Sequence, residues 1–208
     1  MYTVFLAGGI ASGKSTVARA LERRGAVRID LDQLSRDVCR AGSPTLGRIA
    51  AAFGDDVVDP VTGELRRAVL ARRAFSSPEA TRELERMTHP AIREELSRRL
   101  AALGEDALCV VEVPLLDRME DLVGMADEVV CVTCPSSVRR ERAVLRGMTA
   151  DDFDARAARQ PSEAYLRAHA DTILDNEGDE GELLACLDAW WSTRPHQGRV
   201  TALGGLDS

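Results

Sequence analysis

Apolar positions along this chain follow two rhythms that alternate from one end to the other. Residues 3–7 form a short continuous apolar run, the pattern of a strand buried on both faces. Beyond a glycine-rich turn a helix opens near Ser12 to Ser15 and continues through residues 17–22 as an amphipathic segment, which Gly25 ends. A second strand over 26–29 runs into Asp30-Leu31-Asp32. Helical spacing occupies about 33–40 and 45–53, and the turn-rich stretch 54–63 reads as a loop or short hairpin. Residues 66–103 are helix-forming, with breaks predicted near Ser76-Ser77-Pro78 and at His89-Pro90, so they read as a helical insertion between strands. The run 107–113 is apolar enough for burial on both faces and is predicted to be the central strand. A fourth strand at 128–133, helices at 136–145 and 150–159, a fifth strand at 172–174 and a helix at 180–191 complete the pattern. The polar, glycine-bearing tail beyond Arg194 is expected to fray.

The turn after the first strand is Gly8-Gly9-Ile10-Ala11-Ser12-Gly13-Lys14-Ser15, a complete G-x-x-x-x-G-K-[ST] phosphate-binding loop in its required strand–loop–helix setting. Gly8 and Gly13 permit backbone angles that turn successive N–H groups onto a phosphate chain, and the opening helix directs its positive dipole end there. Lys14 would reach the β/γ oxygens and the Ser15 hydroxyl would ligate Mg²⁺. Lys14 is the sole lysine, and every other basic residue is arginine. Strands alternating with helices behind such a loop argue for an α/β fold, a three-layer P-loop NTPase fold on a parallel five-stranded sheet.

At 208 residues the chain suits one domain with appendages. The division expected is a core of about 1–58, 104–138 and 168–194, a helical substrate-side insert at about 59–103, a lid at about 139–167, and a flexible tail at 195–208. The net charge of −7 and the few aromatics argue against nucleic acid as a partner. Cys39, Cys109, Cys131, Cys134 and Cys186 are an odd number scattered through apolar stretches and read as reduced core residues. Cys131-x-x-Cys134 lacks the second pair that a zinc site needs. With no leader-like N-terminus and no apolar run of membrane-spanning length, a soluble cytoplasmic protein is expected.

Several side chains carry candidate chemistry. Asp30 and Asp32, two apart in extended chain at the carboxyl end of a strand, share a face, and one could take a proton from an attacking hydroxyl. The alternative for Asp32 is a cap on the helix predicted from residue 33. Arg139, Arg142 and Arg146 recur at helical spacing, either a lid that closes on polyphosphate or a solvated face paired with Glu141 and nearby acids. Glu112 at a strand end could hold Mg²⁺ through water. Asn176, the only asparagine, could read an adenine edge or occupy a left-handed turn. A kinase acting on a nucleoside or nucleoside monophosphate would use the loop, the strand-end acid and the arginines equally well; a slow nucleotide switch is a further alternative, against which the sole lysine, already in the loop, leaves no guanine-reading Asn-Lys-x-Asp motif.

The ordered set Gly8 to Thr16, Ile29-Asp30-Leu31-Asp32, Gly63-Glu64-Leu65-Arg66-Arg67, His89-Pro90, Val113-Pro114-Leu115-Leu116, the arginine helix, Arg159-Gln160, and Asp175-Asn176-Glu177-Gly178 resembles the dephospho-coenzyme A kinase family. The resemblance covers about residues 3–190. It implies ATP-dependent phosphorylation of the ribose 3′-hydroxyl of dephospho-coenzyme A with Mg²⁺. It implies an ATP site of Gly9, Ile10, Ala11, Ser12, Gly13, Lys14, Ser15, Thr16, Arg142 and Asn176. Asp32, Lys14 and Arg142 would be catalytic; Asp30, Asp32, Arg67, His89 and Pro114 would lie on the substrate side. The chain departs from the family pattern at Arg118, where a glutamate is common, and in a segment before Arg142 that is one residue longer than usual; a non-catalytic paralogue that binds ATP or coenzyme A is the alternative the Arg118 departure leaves.

Overall fold

The computed structural model describes residues 1–194; the tail expected to fray lies outside the described residues. Two compact units result, Met1–Asp30 together with the chain from Leu103 onward, and Leu31–Ala102.

The first unit is built on a sheet. Its elements in chain order are β1 (Tyr2–Gly8), α1 (Lys14–Arg23) and β2 (Val27–Asp30). The second unit then contributes α2 (Leu31–Val38), α3 (Pro44–Phe53), α4 (Arg67–Ala74) and α5 (Pro78–Ala101). The sheet unit resumes with β3 (Leu108–Val113), α6 (Glu120–Val123), β4 (Glu128–Thr133), α7 (Ser136–Leu145), α8 (Ala150–Ala157), α9 (Glu163–Ala168), β5 (Thr172–Asp175) and α10 (Glu180–Ser192). The five strands lie in the order β2-β3-β1-β4-β5 and every pairing is parallel. Parallel neighbours require crossovers, which is why each strand is followed by helix.

The strand at Leu108–Val113 is buried throughout, as predicted, but the centre of the sheet belongs to β1. Hydrophobicity marks both as interior and cannot rank them. The crossover from β1 to β2 leaves one place vacant between them, and β3 fills it. On one face Val4, Leu6, Val110 and Val132 pack against Val17 and Leu21 of α1 and Leu183, Leu187 and Trp190 of α10. Each such side chain contributes roughly 1.5–3 kcal/mol on leaving water, enough to fix the carboxyl end of β1 where the loop begins.

At the opposite end of β4 the buried Glu128 carboxylate gathers donors from Tyr2 (2.7 Å), Thr172 (2.6 Å), the Trp190 indole (2.9 Å) and Arg194 (2.7 Å). Burial opposes its charge, but the hydrogen bonds from Arg194, Thr172, Trp190 and Tyr2 prevail and hold its pKa at about 2.

α1 ends as the sequence predicts. Gly25 adopts φ +88°, its N–H bonds the Glu22 carbonyl at 2.9 Å, and the Ala26 N–H bonds Leu21 at 3.1 Å. Two other expectations are corrected. The helix predicted from residue 33 begins at Leu31, directly after the strand, because Leu31 and Leu34 bury one face. Asp32 therefore stands inside the first helical turn, and the extended geometry that aligned it with Asp30 ends at Asp30. The break predicted at His89-Pro90 is absent, and α5 runs unbroken through Pro90. Thr88, Ile92, Leu96 and Leu100 form a buried stripe at four-residue spacing, while Pro90 and Arg86 lie on the exposed side, where water can satisfy the carbonyl that lost its partner.

The break at Ser77 is real: its hydroxyl caps α5 at the Ala80 N–H, 3.2 Å away. The stretch after α3 closes as a small hairpin through Val58 and Leu65. All five cysteines are free, yet Cys186 is exposed on α10 rather than in the core. Burial pushes the Cys109 and Cys131 thiols up to about 12. Among the described residues no helix is long and apolar enough to cross a membrane.

Candidate active site

The loop sits at the carboxyl end of the central strand, where open α/β sheets bind ligands. Gly13, the residue before α1, takes φ +103°, and a Cβ placed there would lie 2.4 Å from the Asn176 Nδ2 atom. Ala11 takes φ +59°, a left-handed angle unusual for a residue with a side chain. Left-handed residues alternating with ordinary ones turn successive amides toward one point and make a concave anion nest. The first-turn N–H groups of α1 add to it, having no carbonyl four residues back. Lys14 opens that helix and Ser15 follows it with an exposed hydroxyl. The Ser12 hydroxyl is fully buried with no partner. A glycine-lined cradle, convergent amides and an orphaned hydroxyl fit a phosphate chain.

Three side chains hold the loop in this form. The Asn176 amide nitrogen donates to the Ser12 carbonyl at 2.7 Å. Gln160 Oε1 accepts the Ile10 N–H at 2.7 Å, and Arg139 donates to the Ile10 carbonyl at 3.3 Å. Arg139 is itself fixed by the Cys134 carbonyl at 3.0 Å and by the Phe153 ring, 5.8 Å from its guanidinium carbon. Arg142 donates to the Asn176 carbonyl at 3.0 Å and to the Gly178 carbonyl. The alternative of a solvated face paired with Glu141 does not describe Arg139 or Arg142, whose acceptors among the described residues are backbone carbonyls and, for Arg142, also the Cys134 sulfur. Arg146 follows the last residue of α7 and is exposed.

Asn176 is nine-tenths buried and is not left-handed, which removes the turn explanation. Its Nδ2 is committed to Ser12, while its Oδ1 is buried without a partner. Glu112 is paired with Arg28, whose Nε lies 2.5 Å from the carboxylate, so its charge is already compensated. Asp30 lies beside Glu112 in the strand register, and Pro114 immediately follows β3.

The sheet unit thus gathers Gly9 to Thr16, Arg142 and Asn176 into one place, and also holds Asp30 and Pro114. Asp32, Arg67 and His89 belong to the helical unit. There Arg67 lines a cavity of about 1050 Å³ with Arg36, Arg40 and Arg48. Among the described residues Arg36 bonds Gln33 and Arg48 bonds Thr45, both neutral, whereas Arg99 on the same wall is spent on Asp37 and Glu95. His89 lines a different depression on α5, of about 560 Å³. The sequence reading left Arg139 and Gln160 out of the ATP site. Helical spacing signalled the arginine; no spacing rule connects Gln160 to Ile10, which precedes it by 150 residues.

A parallel sheet in this order, opened by a phosphate loop and faced by arginines, defines the chain as a phosphate-loop kinase. Comparison with known proteins narrows the class. The model of the dephospho-CoA kinase family matches residues 2–182. The dephospho-CoA kinase of Frankia casuarinae is 39% identical over 191 residues, covering 92% of this chain and 82% of the relative. The crystal structure of TT1252 from Thermus thermophilus superposes with a TM-score of 0.77 at 32% identity, over 92% of this chain and 96% of that one. The dephospho-CoA kinase from Campylobacter jejuni shares the fold, with a TM-score of 0.69 at 22% identity over 91% and 95% of the two chains. The chain belongs to the dephospho-CoA kinase family, whose members are ATP-using phosphotransferases.

Proposed function

We propose that this chain moves the γ-phosphoryl group of ATP to the ribose 3′-hydroxyl of dephospho-coenzyme A, releasing coenzyme A and ADP. The observation that carries this reading is the preformed loop, with Ala11 and Gly13 at left-handed angles and Lys14 opening the helix behind it. Bound ATP supplies the phosphoryl group; the Ser15 hydroxyl would help hold an accompanying Mg²⁺, which would supply charge neutralisation on the phosphates. Gly9 to Thr16 bind the triphosphate through backbone amides. Lys14 and Arg142 neutralise charge on the transferred group; Arg142 retains N–H groups beyond those given to carbonyls. Asn176 serves the ATP site by fixing the Ser12 carbonyl through its amide nitrogen.

Asp32, exposed in the first turn of α2, accepts the proton of the 3′-hydroxyl as it attacks. The arginine-lined cavity of the helical unit suits the diphosphate and extended arm of dephospho-coenzyme A, with Arg67 a direct contact. Asp30 and Pro114 in the sheet unit and His89 in the helical unit are proposed as further substrate-side residues, His89 from a depression separate from that of Arg67. The insert and lid divisions given above belong to the same proposal, as does a cytoplasmic setting, which suits five free thiols. The test is to incubate the protein with Mg-ATP and, separately, dephospho-coenzyme A, nucleosides and nucleoside monophosphates, identifying products by mass. Coenzyme A as the dominant product supports the proposal; preferential phosphorylation of a nucleoside or its monophosphate overturns it.

A further inference from the structure

Among the described residues, four hydrogen bonds hold the loop backbone between Gly9 and Ser12, and three of them come from far along the chain. The Gly9 carbonyl accepts the Ser12 N–H at 3.1 Å, the only one of these bonds made within the loop. Ile10 is held on both sides: Gln160 takes its N–H and Arg139 serves its carbonyl. Arg139 also presses on Gly9, where an added Cβ would stand 2.5 Å from the guanidinium. Between Ile10 and the Ser12 carbonyl tied to Asn176 lies Ala11, at φ +59°. A non-glycine residue persists at such an angle only where its surroundings over-determine it. Here they do: Arg139 holds the Ile10–Ala11 peptide at its carbonyl, the Gly9 carbonyl holds the Ala11–Ser12 peptide at its N–H, and Gln160 and Asn176 hold the next peptides out, Gly9–Ile10 and Ser12–Gly13.

We propose that Gln160 is a positioning residue for ATP binding: by accepting the Ile10 N–H it keeps Ala11 left-handed and so keeps the amides that follow turned onto the phosphates. Its contact is the shortest of the three that reach the loop's backbone, equal with that of Asn176, and it comes from the segment just beyond α8. Without it Ile10 retains only the longer Arg139 bond, and the loop can relax toward ordinary angles in which the nest is lost. Gln160 acts through Ile10 and need not touch ATP. The inference rests on the kinase reading for its ligand and on none of the details of the acceptor substrate.

The experiment compares Gln160→Met, which keeps length but removes the acceptor, with Gln160→Glu, which keeps an acceptor, and with Gln160→Asn, which withdraws it by one methylene. Two quantities are read: the Ile10 amide by ¹⁵N–¹H resonance and hydrogen exchange, and the dissociation constant of ATP without any acceptor substrate. Loss of one hydrogen bond predicts roughly a three- to ten-fold weaker ATP affinity in the Met and Asn variants. Their Ile10 resonance should move and lose exchange protection, while the melting temperature stays near wild type. Gln160→Glu should restore the Ile10 protection. An Ile10 amide indifferent to Gln160→Met and Gln160→Asn, or ATP affinity unchanged when that amide does respond, overturns the proposal. Because no acceptor substrate is present, a wrong assignment of dephospho-coenzyme A would leave both readouts intact and would appear instead in the product assay.

Discussion

A single ammonium group in a chain that otherwise uses guanidinium is a residue-level choice with a physical sense. Lys14 is a compact point charge on a flexible stem, able to follow a phosphoryl group as it moves, whereas a planar guanidinium is better suited to fixed acceptors. Arg139 and Arg142 illustrate the second use, each bonded to backbone carbonyls. Replacing Lys14 with Ala should lower kcat/KM by at least about a hundred-fold, since both binding and charge stabilisation are removed. Asp32→Asn keeps shape and removes basicity. It should lower kcat by orders of magnitude while ATP binding, measured by calorimetry, stays near wild type; unchanged turnover would reject Asp32 as the proton acceptor.

Two elements owe their form to context rather than to local pattern. α5 tolerates Pro90 because a buried stripe on its other side holds the helix together across the missing hydrogen bond. Pro90→Ala should therefore restore that bond and raise stability by on the order of 1–3 kcal/mol, read as a higher melting temperature. At the start of β4, the Glu128 carboxylate ties β1, β5 and α10 to one point. Its folded pKa of about 2 lies below the ordinary carboxylate value, so its contribution is complete above pH of about 4.5 and is lost as pH falls toward 2. Glu128→Gln should cost on the order of 2 kcal/mol at neutral pH and flatten the pH dependence of the melting temperature within that acid window.

At the scale of the whole molecule, the phosphate loop belongs to the sheet unit and the arginine-lined cavity to the helical unit. The proposed function therefore predicts that binding of ATP and of the acceptor can be separated by mutation. Arg67→Ala should raise the KM for dephospho-coenzyme A about ten-fold and leave the KM for ATP within about two-fold, because one charge-assisted hydrogen bond to phosphate is removed from one unit alone. Equal effects on both substrates in steady-state kinetics would contradict that assignment. The small net-acidic surface has little bearing on either site, since distant charges are screened within about 10 Å in salt.

The sequence by itself determined the strands, most helices, the fold class and the phosphate loop. Each of these is written in neighbouring residues: an apolar run, a 3.6-residue rhythm, or eight consecutive positions from Gly8 to Ser15. The helix start at Leu31 and the continuity through Pro90 were misjudged because burial outweighed local propensity at both places. Tertiary structure alone decided that β1 is central, that Glu128 collects four side chains, and that Gln160 and Asn176 brace a loop more than a hundred residues upstream. Such contacts join groups whose separation along the chain follows no period. Only the folded backbone, by fixing where each carbonyl and amide stands, determines which distant side chain can reach it.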